Sequence, residues 1–149
     1  MSKTVGEILK TKTKELSTIT PDKTVQDAVN LLVEKRIGSL VVVKENQELA
    51  GIITERDVLR ECAKHPNKLG EVKIQDVMSK EVIVGRVEDT VQFVKHTMIT
   101  RRIRHLPIVE GNKVTQMLSI GDVVKSLLED STQEADDLRD RLAGHYVVA

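Results

Sequence analysis

The sequence has one cysteine, three prolines, no tryptophan and two aromatic side chains, Phe93 and Tyr146, in 149 residues. Cys62 has no partner within the chain for a disulfide, which suits a reducing, cytoplasmic setting. With so few aromatics there is no stacking platform for single-stranded nucleic acid. Neither sign of charge is in excess: 23 Lys and Arg balance 23 Asp and Glu. No global field is therefore available to hold DNA or an acidic membrane, and any anion site must be local. No apolar run approaches the length of a membrane span, and the start MSKTVGEILK lacks a secretory hydrophobic region, so a soluble, unprocessed chain is expected.

Known catalytic patterns are missing too. The glycines form neither GxGxxG nor a phosphate loop ending in GK[ST], and there is no HExxH or paired CxxC. His65, His96, His105 and His145 lie in separate segments without metal-ligand spacing. Cys62 reads as a small buried hydrophobe, and Phe93, Met98 and Met117 as core fillers. The expectation is a protein that is not an enzyme, with no catalytic cofactor and no metal. What the chain does have is 40% hydrophobic residues, mostly Val, Leu and Ile. At this length roughly 70% of the unfolded surface should be buried.

An internal duplication organises that apolar content. Residues 22–43 (DKTVQDAVNLLVEKRIGSLVVV) align without gaps on residues 88–109 (EDTVQFVKHTMITRRIRHLPIV), so that Thr24, Val25, Gln26, Arg36 and Ile37 recur as Thr90, Val91, Gln92, Arg102 and Ile103. After a one-residue deletion, GIITERDVLR (51–60) falls on QMLSIGDVVK (116–125), and Thr54 and Asp57 recur as Ser119 and Asp122.

Each copy reads as strand, helix, strand, strand, helix. The first strands are expected near 16–19 and 82–84. Thr24 and Asp27 stand at capping-box spacing before a helix whose Val25, Ala28, Val29, Leu31 and Leu32 follow a helical period. Hairpins follow at 39–43 with 49–54, and at 105–109 with 114–119, because polar turn residues separate β-branched runs. The second helices begin at Glu55-Arg56-Asp57 and Ile120-Gly121-Asp122. His65-Pro66-Asn67-Lys68-Leu69-Gly70 breaks the first of them. The fold class is mixed α/β: tandem β-α-β-β-α repeats packed with pseudo-twofold symmetry, each too small to be comfortably stable alone. The expected division is repeat 1 at 3–66, repeat 2 at 67–130 and a C-terminal helical tail at 131–149. In the tail region Val124, Leu128, Ser131, Ala135, Leu138 and Leu142 step by four and three, which fits either a helix folded back or a dimer seam.

In each copy a strand ends in a hydroxyl and an aspartate follows three residues later in the first turn of a helix. Helix-start amides and a hydroxyl favour a phosphate, and a carboxylate accepts from the vicinal hydroxyls of a ribose. Taken singly, Thr54 and Ser119 are N-caps, and Asp57 and Asp122 favour the helix dipole. Their joint recurrence is the reason to prefer a ligand. Arg101-Arg102-Ile103-Arg104-His105 adds positive charge. Arg101 and Arg102 read as a solvated helix end, whereas Arg104 and His105 are suited to neutralise a phosphate, the histidine gaining charge as pH falls.

GIITERD, VMSKEVIV and RRIRHLPIV, in order and over about residues 3–130, resemble the strand signatures of the paired cystathionine-β-synthase (CBS) domain, or Bateman module, of the stand-alone type. The resemblance implies clefts shared between repeats that bind an adenosyl ligand: AMP, ADP, ATP, S-adenosyl compounds or NAD(H). It implies that Thr54, Arg56 and Asp57 face Ser79, Val82, Ile103, Arg104, His105 and Pro107. It likewise sets Ser119 and Asp122 opposite Lys14, Leu16, Ile37, Gly38, Ser39 and Val41. Two departures bear on equal occupancy: Gly51 is matched by Gln116, and Lys10 to Lys14 contains about three extra residues. The function implied is a ligand or energy sensor, a homodimer signalling to an unidentified target protein, with no nucleic acid or membrane partner. An interaction scaffold with vacant clefts is the alternative, and an unrecognised hydrolase a weaker third.

Overall fold

Thr4, Thr24, Thr54, Thr90 and Ser119 each stop an extended segment and start a helix, their side-chain oxygens accepting the amide three residues on. The computed structural model describes residues 3–12 and 15–130; the tail at 131–149 and Lys14 lie outside the described residues. Among those there are five helices and five strands, in the order α1 (Val5–Thr11), β1 (Thr18–Ile19), α2 (Val25–Lys35), β2 (Ser39–Val43), β3 (Leu49–Thr54), α3 (Glu55–Lys64), α4 (Val91–Arg101), β4 (His105–Glu110), β5 (Lys113–Ser119) and α5 (Ile120–Glu129). A single 3-10 turn spans Ile74–Asp76.

β1 runs parallel to β2, and β2 pairs antiparallel with β3. β4 and β5 form the second hairpin. The duplication is visible in backbone detail: the register slips between Val42 and Val43 in one hairpin and between Ile108 and Val109 in the other. Arg36 and Arg102 end α2 and α4 in the left-handed conformation, each at φ 55°. Those recurring arginines are helix terminators, with the amides of Ile37 and Ile103 reaching back to the carbonyls of Leu32 and Met98.

The expected strand at 82–84 does not form. The second copy keeps only a parallel bridge at Gly85, whose amide donates to the Pro107 carbonyl while its own carbonyl accepts from Val109. A Cβ at Gly85 would lie 2.8 Å from Leu106 Cδ2, so the chain passes the sheet too closely for other residues. Phe93 is also not a core filler: it is 59% exposed, because the inward stripe of α4 is Val91, Val94 and Met98. Met98 is buried as expected, and Met117 packs against the cluster between the hairpins.

Core membership crosses between the copies. Val5 and Ile8 of α1 pack with Val91, Val94, Met98, Leu106, Ile108, Leu118 and Val123. Ile74 packs with Ile19, Ala28, Leu32, Leu40, Val42 and Ile53. Backbone bonds secure both crossings, Val91 donating to Lys3 and Ile74 to Lys23. A third cluster of Val41, Val43 and Val114 joins the two hairpins.

Candidate functional site

Two clefts open where a hairpin of one copy meets the helix start of the other. The smaller, about 240 Å³, is lined by Thr54, Arg56, Asp57, Ser79, Val82, Ile103, Arg104 and His105 together with Ile52, Arg60, Glu81 and Ile83. The larger, about 400 Å³, includes Leu16, Ile37, Gly38, Ser39, Ser119 and Asp122. Of the residues that the sequence pointed to, Pro107 and Val41 line neither cleft. They lie two residues beyond His105 and Ser39 on the same strand face, where the chain is already covered: Val41 packs with Val43 and Val114, and Pro107 is buried within β4.

The helix starts are built as capping boxes. Thr54 N–H donates to Asp57 Oδ2 at 2.8 Å, and Thr54 Oγ1 both accepts from the Asp57 amide and donates to Oδ2. Ser119 N–H donates to Asp122 Oδ2 at 2.8 Å, and the Asp122 amide returns a bond to Ser119 Oγ at 3.1 Å. The same box at Thr24 and Asp27 is exposed and lines neither cleft. Recurrence of hydroxyl and aspartate is therefore accounted for by capping. What sets Asp57 and Asp122 apart is their position in a cleft, with one carboxylate oxygen left over: Asp57 Oδ1 meets only Arg60, at 3.7 Å.

The two volumes differ for a reason legible in the alignment. Gly38 and Ser39 wall the larger cleft, while their counterparts Arg104 and His105 fill the smaller. A Cβ at Gly38 would press on the Glu55 carboxylate, a flexible and exposed group that would have to swing aside. Gly51, matched by Gln116, is needed for another close approach: a Cβ would meet the Ser79 carbonyl at 2.6 Å, and that segment is bridged to Ile52 on β3. Gln116 instead lines the larger cleft.

Electrostatics differ as well. Arg56, Arg60 and Arg104 face Asp57 and Glu81 in the smaller cleft. In the larger, Lys12 Nζ donates to Asp122 Oδ2 at 2.9 Å and also to the Met117 carbonyl. Burial pushes the Asp122 carboxyl up, but the Lys12 bond and the Ser119 amide outweigh it and hold the group below its ordinary value. His105 borders both clefts. Burial, then Arg104 and Lys12, lower its imidazole against the pull of Glu55 and Asp122, so it gains charge at lower pH than an ordinary histidine.

Sequence reasoning missed Lys12, Arg60, Lys125 and the buried Ser126. Arg60 and Lys125 had a signal, since both follow the aspartate by three residues in their helices. Lys12 had none, because its role depends on α1 crossing to the other copy. Among the described residues no group of His, Cys, Asp and Glu is placed to hold a metal ion, and no helix is long and apolar enough to cross a membrane.

Residues 5–64 and 74–129 each match the model of the CBS domain. The CBS domain-containing protein CBSX3, mitochondrial, of Arabidopsis thaliana is 36% identical over 153 residues, covering 97% of this chain and 74% of that one. A CBS-domain containing protein of Agrobacterium tumefaciens superposes with a TM-score of 0.78 at 29% identity, over 83% of this chain and 98% of that one. CBSX2 of Arabidopsis thaliana, solved in complex with AMP, gives 0.73 at 27% identity over 86% and 98%.

Proposed function

Because the chain belongs to the CBS-domain family and carries two copies in tandem, we propose that it is a non-catalytic regulatory module, a sensor that binds an adenine nucleotide in the clefts between its copies. AMP, ADP, ATP and NAD(H) are the candidate ligands, with S-adenosyl compounds as a further class. The observation that carries this reading is the pairing, in each cleft, of a helix start, a capped aspartate and basic side chains. Amides and cations suit a phosphate, and the remaining carboxylate oxygen suits a sugar hydroxyl. The AMP complex of CBSX2 supports the ligand class. Asp57, Thr54, Arg56, Arg104 and His105 would serve the smaller cleft, and Asp122, Ser119 and Ser39 the larger.

Occupancy is useful for signalling only if the ligand has different affinities for two arrangements of the module. We place the signal in a homodimer acting on a target protein, in the cytoplasm. Leu59 on α3 is 69% exposed, Phe93 and Ile99 on α4 are 59% and 64%, and these faces are where a second copy would pack. The same faces favour a second reading, an interaction scaffold whose clefts stay empty.

Calorimetric titration with AMP, ATP and NADH separates the two. Saturable binding, lost in an Asp57→Ala/Asp122→Ala variant that still melts cooperatively, is the expected result. No heat with any adenosyl ligand, while a protein partner still co-purifies, sinks the sensor and leaves the scaffold. Mass spectrometry of the small molecule released on denaturation identifies the nucleotide.

A further inference from the structure

Lys12 spans the larger cleft from the end of α1 to the start of α5. Its ammonium bonds Asp122 Oδ2 at 2.9 Å and the Met117 carbonyl, and the two side chains are only 16% and 25% exposed. Oδ2 of the carboxylate that would read a sugar thus already holds both the Ser119 amide and a protein cation, and Oδ1 is the oxygen left over. Asp57 is not held in this way. Among the described residues the cation within ion-pair distance of it is Arg60, which stands 3.7 Å away and is 65% exposed, a distance and exposure at which solvent screens most of the attraction.

Resting on the nucleotide reading above, we propose that Lys12 gates the larger cleft, admitting adenosyl ligands that carry phosphate and turning away the neutral nucleoside. A nucleoside brings only hydroxyls to Asp122. One hydroxyl can take Oδ1, but for the vicinal pair to take both carboxylate oxygens it must share or break the ion pair on Oδ2, leaving a half-buried ammonium without an anion. A phosphate beside the sugar supplies that anion. The four-carbon stem of Lys12 lets the ammonium turn from Asp122 to the phosphate, freeing the carboxylate for the sugar. Lys3, Arg36 and Lys125 line the same cleft, with Glu15 and Glu129 opposing them. Among the described residues the lining of the smaller cleft holds arginines and no lysine, and none of them bonds Asp57 as Lys12 bonds Asp122.

The test is calorimetry with adenosine and with ATP. Asp57→Asn keeps an acceptor for the Thr54 amide and leaves the Asp122 cleft as the reader. In that background ATP should bind and adenosine should be weaker by at least about tenfold, the scale of one charge-assisted hydrogen bond. Adding Lys12→Met should raise adenosine affinity and lower that for ATP. If Asp57→Asn fails to fold, Lys12→Met alone should raise the adenosine stoichiometry from one to two per chain. An adenosine-to-ATP ratio and a stoichiometry that ignore Lys12 overturn the gate and leave the nucleotide reading standing. Silence toward both ligands in the unsubstituted protein overturns both. Without ligand, a carbon-13 titration of the Asp122 carboxyl should move up in Lys12→Met, and an unmoved titration also overturns the gate.

Discussion

Burial of His105 lowers its folded-state pKa against the opposing charges of Glu55 and Asp122. The unfolded chain, titrating near 6.5, then binds the proton more readily than the native state does. Stability from this group is full above that value and declines as pH falls through it toward the folded pKa. Urea midpoints measured from pH 8 down to 5 should show that decline, and His105→Ser, which installs the residue found at Ser39, should flatten it. Asp122 adds a second step at lower pH: its folded value is depressed, so its contribution is present above the unfolded value and lost as pH falls through the folded one. Close approach decides a third position. In Gly51→Ala the new methyl meets a backbone carbonyl at 2.6 Å, with the Met78 sulfur at 2.9 Å. Overpacking of this kind costs about 1–3 kcal/mol and should lower Tm, with loosening of the Ile52–Ser79 bridge visible in amide exchange.

At the scale of the element, Thr24/Asp27, Thr54/Asp57 and Ser119/Asp122 are one device used three times, with different surroundings. Replacing the threonine removes a cap worth about 1 kcal/mol in either Thr24→Ala or Thr54→Ala. Of these two variants only Thr54→Ala should also weaken nucleotide binding, because the Thr54 box borders a cleft and the Thr24 box does not. Equal loss of affinity in both variants would mean that the caps act through stability alone. Helix α1 was legible and passed unread: Thr4 and Glu7 stand at capping-box spacing, and Val5, Ile8 and Leu9 follow a helical period. Residues 82–84 mislead in the opposite direction. Val82, Ile83 and Val84 have strand composition, but Val82 and Ile83 line the smaller cleft and of this segment Gly85 is the residue that reaches the sheet. Local propensity cannot report such a detour, since tertiary contacts override it.

At the scale of the whole molecule, the crossing of core segments makes the copies interdependent. Ile74 follows the first copy's second helix in sequence yet is fully buried among Ile19, Ala28, Leu32, Leu40, Val42 and Ile53. Ile74→Ala should cost about 2–5 kcal/mol, with hydrogen exchange rising first in α2 and β1 to β3 rather than in α4 and α5. Exchange rising first in α4 and α5 would show that the core follows sequence order. If the proposed homodimer packs through α4, Phe93→Glu, which places a charge on that exposed face, should shift sedimentation from dimer to monomer; an unchanged sedimentation profile would remove α4 from the proposed seam. Sequence alone determined the duplication, both hairpins and the helix starts at Thr24, Thr54, Thr90 and Ser119, because those depend on short-range periods, on capping and on repetition along one chain, whereas the residues expected on the opposing cleft walls came from the family resemblance. Tertiary structure alone decided that α1 joins the far core, that Val41 and Pro107 are covered, that Gly38 and Arg104 give the clefts unequal volumes and that Lys12 meets Asp122. Those outcomes depend on which distant segments meet, Lys12 and Asp122 being 110 residues apart along the chain, and no local pattern encodes such a meeting.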